Sequence, residues 1–96
     1  MNTIGVMTEM VILQDIKRRH IMTYQEIMKR VEWGEEFSFY YKKDQYWISQ
    51  NGSVRYLTRV RGSETQEFQN TQELFENGRV EGKSIFEIWE DIKDSF

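Results

Sequence analysis

Between Phe37 and Arg61 the apolar period changes from helical to alternating, which commits the chain to a mixed architecture. Phe37, Phe39 and Tyr41 fall on one side of a strand over Phe37–Tyr41. A polar link, Lys42–Gln45, leads to a second strand over Tyr46–Ser49. Asn51-Gly52 then signals a hairpin, because a tight primed turn needs positive φ at both central residues. Val54–Arg61 supplies a third strand and Gln66–Gln69 a short fourth. Strands joined this closely form an antiparallel meander, with helices over one face.

The flanks read as helices. Thr23 and Glu26 form a Thr-x-x-Glu capping box, Ile27, Met28 and Val31 supply the apolar contacts, and Gly34 is placed to end the helix. Residues 9–19 suggest an earlier helix with Met10, Leu13 and Ile16 inward, although alternation over 6–13 also fits a strand. Asn70 with Glu73 caps a short helix carrying Leu74 and Phe75, with Gly78 just past its end. Ser84 and Glu87 cap a last helix, whose apolar stripe is Ile85, Ile88, Trp89 and Ile92. The expected fold class is α+β: an antiparallel three- or four-stranded meander flanked by N-terminal and C-terminal helices. Residues 1–96 form a single domain, in which 1–21 can be divided off as a helical extension.

Several function classes find no support. At 39% hydrophobic and 15% aromatic residues the chain can build a core, and without cysteine it has neither disulfides nor thiolate zinc sites. No apolar run approaches the roughly 18 residues of a membrane span, and no signal-peptide pattern opens the sequence. A cytoplasmic protein without membrane contact is expected. His20, the single histidine, follows Arg18 and Arg19, whose charges disfavour its protonation and do not build a base. With no phosphate loop, nucleophile elbow or His-Glu zinc motif, no enzyme, cofactor or metal is expected.

Charge is unevenly distributed. Residues 1–34 sum to +1, 35–62 to +2 and 63–96 to −6, giving the net −3. Opposite the last apolar stripe, Glu87, Glu90, Asp91 and Asp94 make an acidic row, with Glu73, Glu76 and Glu81 as supporting charges. Such carboxylates suit calcium or magnesium by type, but the alternating ligands and loop glycine of an EF-hand are missing. Near the C-terminus of a helix each acid would cost a few tenths to about 1 kcal/mol, a penalty that binding could explain. A second surface would exist if Tyr40 and Trp47 shared a face with Arg55, Arg59 and Arg61, since aromatic platforms beside guanidinium groups suit RNA. The apolar run Met10–Leu13 suggests packing inside the core or a homodimer contact.

From Thr23 onward the chain resembles small proteins of Gram-positive bacteria and their phages and plasmids. The resemblance is carried by TYQEIMKRVEWGEEFSF, YWIS, QEF, ELFENGRVEGKSIFEIWEDI and the terminal acidic run. It implies a mobile-element or accessory origin, and type II anti-CRISPR inhibitors include similar small proteins. The expected function is therefore a protein-binding inhibitor whose acidic row competes with guide RNA or DNA on a bacterial nucleic-acid enzyme, such as a type II CRISPR effector nuclease. An antitoxin or immunity protein facing a basic toxin, and an RNA-binding module using the arginine residues, are the alternatives.

Overall fold

The computed structural model describes residues 22–96. The expected helix over 9–19, the Met10–Leu13 run and His20 lie outside the described residues. Helix α1 spans Tyr24–Glu32 and starts on the expected reciprocal box. The Glu26 backbone N–H donates to Thr23 Oγ1 at 3.1 Å, and the Thr23 N–H donates to Glu26 Oε1 at 2.8 Å, so two otherwise orphan donors are satisfied. Ile27 and Val31 are fully buried, and Met28 packs on the core edge. Gly34 at φ 97° turns the chain out of the helix, and its N–H donates to the Val31 carbonyl.

Four strands follow in the order β1-β2-β3-β4, an antiparallel meander. They span β1 (Phe37–Tyr41), β2 (Asp44–Asn51), β3 (Val54–Arg59) and β4 (Glu64–Phe68). The first connection is tighter than expected. Tyr41 pairs directly with Asp44, so the link is Lys42–Lys43 alone, with both lysines at positive φ (50° and 76°). In the next hairpin Asn51 pairs with Val54, which makes Gly52 and Ser53 the central residues, one position later than the Asn51-Gly52 reading. Only Gly52 is at positive φ (65°), the pattern of a II′ rather than a I′ turn. Strand β3 ends at Arg59 instead of Arg61, because the chain bends over Val60–Ser63. Gly62 (86°) and Ser63 (51°) both adopt positive φ there. Strand β4 begins earlier than expected, at Glu64.

Helix α2 (Thr71–Asn77) is capped by Asn70, whose side chain accepts from the Glu73 N–H at 2.8 Å. Glu73 returns its carboxylate to the Gln69 N–H at 2.7 Å, one residue before the position a standard box uses. Gly78 is required for space. Its φ is −65°, but an added Cβ would lie 2.6 Å from the Leu74 carbonyl oxygen and 3.2 Å from a Leu57 methyl.

The expected continuous last helix is broken. The Ser84–Glu87 box forms, yet a four-residue helix α3 (Trp89–Ile92) and a 3-10 turn (Lys93–Ser95) replace the longer element. Trp89 and Asp91 donate to Phe86 and Ile88 respectively, the i to i−3 bonds of a tightened helix. Tertiary packing accounts for this. Ile85, Ile88, Trp89 and Ile92 are all buried, and Trp89 stacks on Phe96 with ring centroids 5.3 Å apart. Phe96 in turn meets Phe37 and Phe39 of β1. Anchoring the Trp89–Phe96 end on β1 outweighs the small preference for regular helix.

The helices and the C-terminal segment cover one sheet face. Phe39, Tyr46, Ile48 and Leu57 project into the core there, against Ile27, Val31, Leu74 and Phe75. Across the sheet Tyr40 and Trp47 remain exposed beside half-buried Tyr56. No helix among the described residues is long and apolar enough to cross a membrane.

Candidate functional site

The C-terminal segment presents the acidic row beside its buried stripe. Phe86, Glu90 and Lys93 line one groove together, and Glu87, Asp91 and Asp94 each follow one of them in the chain. Glu87, Glu90, Asp91 and Asp94 are all exposed, but they differ in what they already hold. Glu87 is part of the cap. Its bond from the Ser84 N–H, with help from nearby Lys83 and Arg79, holds its carboxyl below the usual glutamate range. Glu90 accepts from Lys93 Nζ at 2.7 Å, and the pairing raises the lysine pKa. The Asp91 and Asp94 carboxylates make no hydrogen bond or ion pair among the described residues, although Asp94 lies close enough to Lys93 to help raise the lysine pKa.

The dipole penalty expected for these acids is not present. Because the helix is broken, Glu90 and Asp91 lie in the four-residue α3 and Asp94 is the middle residue of the Lys93–Ser95 3-10 turn, so no long helix ends on them. Of the supporting charges, Glu73 serves the α2 cap and Glu76 accepts from Gln72 at 2.9 Å. Glu81, at φ 52°, sits 3.9 Å from Lys42 in an exposed ion pair. Among the described residues no group of three or more His, Cys, Asp or Glu could hold a metal ion.

The arginines of β3 are arranged differently. Register places Tyr46 opposite Arg59, and Ile48 opposite Leu57, so Arg55, Leu57 and Arg59 point to the covered face. Tyr40 and Trp47 pair with Gln45 and Thr58, on the other face. The condition for the aromatic-arginine surface is not met, because period two separates its components across the sheet.

Each arginine is also occupied. Arg55 is buried, and its guanidinium donates to Thr71 Oγ1 (3.1 Å) and to the carbonyls of Gly52 (2.7 Å), Val54 (3.2 Å) and Glu32 (3.3 Å). It ties the last turn of α1, the β2–β3 turn and the start of α2 together, with no carboxylate among these partners. The Glu32 carbonyl lies at the negative end of α1, which favours a cation. Arg59 and Arg61 converge on the buried Asp44 carboxylate, through Arg59 Nη2 (3.0 Å) and through Arg61 Nε (3.1 Å) and Nη2. Bonds first from Arg61 and then from Arg59 hold the Asp44 carboxyl below its ordinary value.

Sequence reasoning did not single out Asp44, which it left inside a polar link. The available signal was its place directly after a pair of lysines able to turn the chain. It also did not single out Phe86, which is 65% exposed, or its neighbour Tyr24. No family model matches the chain, and no curated protein or solved structure matches it.

Proposed function

We propose that the chain is a non-enzymatic protein-binding inhibitor of a bacterial nucleic-acid enzyme, of the anti-CRISPR kind directed at a type II effector nuclease. In this reading the acidic C-terminal segment enters a basic groove and competes there with guide RNA or DNA. The supporting observation is that Asp91 and Asp94 stand exposed, without bonded cations, on a segment pinned by Ile85, Ile88, Trp89 and Ile92. Because the segment that carries them is already ordered, the carboxylates present a local negative field with little backbone ordering cost at binding. Asp91 and Asp94 are the principal charges, Glu90 becomes available when Lys93 releases it, and Glu87 adds charge while serving as a cap.

The test is inhibition of target cleavage by a type II effector, comparing the natural chain with Asp91→Asn/Asp94→Asn. The double variant should inhibit about tenfold less well or worse, a loss of 1.4 kcal/mol or more, and the natural chain should lose potency as salt rises. Equal inhibition by both proteins would remove the acidic row from the site. Absence of inhibition by either would end the anti-CRISPR reading, and capture of a basic toxin would redirect the same surface to an antitoxin role.

A further inference from the structure

Beside the acidic row lies a groove of about 410 Å3, lined by Met22 and Tyr24 at the start of α1 and by Phe86, Trp89, Glu90 and Lys93. The exposed Phe86 ring is fixed in place. It meets Tyr24 edge-on with centroids 5.1 Å apart, and Tyr24 meets Trp89 at 5.7 Å. Phe86, in the turn before α3, and Glu90, within it, line the same groove, so the aromatic wall runs next to a carboxylate. A cation already occupies that carboxylate from within the chain: Lys93 Nζ lies 2.7 Å from Glu90 Oε1. Glu90 is 82% exposed in this pair, so the contact is weak and open to exchange.

We infer that this groove receives an arginine side chain of the basic partner, its guanidinium stacked on the Phe86 ring that Tyr24 braces edge-on and donating to Glu90 in place of Lys93. The inference rests on the proposed role of the acidic row and adds the chemistry of the partner residue. Arginine fits better than lysine because its planar, weakly hydrated guanidinium stacks on a ring while its in-plane N–H groups remain free to donate. Asp91 and Asp94, each next in the chain to a groove residue, supply the charge complementarity for neighbouring basic residues of the same segment.

The test is an NMR titration of the full chain with hexaarginine and, separately, hexalysine. Hexaarginine should bind about fivefold more tightly and shift the Phe86 ring and Trp89 indole signals. Phe86→Ala and Phe86→Leu, each verified as folded at the titration temperature, should reduce hexaarginine to the hexalysine affinity while leaving the salt dependence unchanged. Equal affinities that respond to Asp91→Asn/Asp94→Asn but not to Phe86→Ala would overturn the groove assignment and leave the acidic row standing. Failure of both peptides to bind would also overturn it, with the acidic row then judged by the cleavage assay. Phe86-dependent self-association without peptide would assign the groove to a second copy of the chain instead.

Discussion

The arginines of β3 and the carboxylates after Trp89 form charged groups of similar size, yet they relate to the fold in opposite ways. Arg55 and Arg59 of β3 donate inward to a hydroxyl, backbone carbonyls and one buried aspartate, and the exposed Arg61 just beyond the strand donates to that same aspartate. The Asp91 and Asp94 carboxylates face solvent and accept no hydrogen bond among the described residues. A count of charges treats the two regions alike. What separates them is whether each charge already has a partner, and only an uncommitted charge can recognise another molecule without first breaking something.

The largest effect that would sharpen this contrast is at Arg55. Arg55→Met should destabilise the fold by about 2–4 kcal/mol, because it strands buried acceptors at the meeting point of α1, α2 and the β2–β3 turn. Urea unfolding measures it, and a change under about 0.5 kcal/mol would make the buried arginine dispensable. Asp44 should show itself in the pH dependence. Its carboxyl holds a proton less readily folded than unfolded, so its contribution is fully present above the ordinary aspartate value of 3.8 and is lost as pH falls below it. Asp44→Asn should therefore lower the thermal midpoint at neutral pH and flatten its decline in acid. An unchanged acid limb would show that other carboxylates carry it.

Smaller effects come next. Thr23→Ala should cost about 1 kcal/mol by removing the α1 cap, read by the same unfolding curves. Lys43→Gly should stabilise by about 0.5–1 kcal/mol, since a lysine at φ 76° adopts a backbone conformation that glycine reaches without strain. The smallest change belongs to the acidic strip. Asp91→Asn/Asp94→Asn should leave stability within about 0.5 kcal/mol, and a larger loss would show that these carboxylates hold the fold together.

Much of this was legible from residue order because local rules and tertiary packing agreed. The alternation in Phe37–Tyr41 gave β1 with its bounds, and the Thr23–Glu26 box gave the start of α1. The apolar stripe Ile85, Ile88, Trp89 and Ile92 was also visible, since burial follows helical spacing even where the helix tightens. Its regularity was not. The stacking of Trp89 on Phe96, and of Phe96 on β1, is a long-range constraint that no local window contains. The arginine surface failed for a related reason. Both alternating sets of β3 mix apolar and polar residues, and only Leu57 packing against the helices decides which set turns inward. Once it does, Arg55 and Arg59 follow it, and Tyr40 and Trp47 are carried to the other side.

The most direct test is a paired measurement of binding to a purified type II effector nuclease across a salt series. It compares the natural chain with Asp91→Asn/Asp94→Asn and with Arg61→Gln. The account predicts that the aspartate variant loses about tenfold in affinity and much of its salt dependence. Arg61→Gln, which alters a charge already bonded to Asp44, should bind like the natural chain once its folding is verified. Loss of binding in Arg61→Gln with full affinity in the aspartate variant would contradict the account and move recognition to the arginine side.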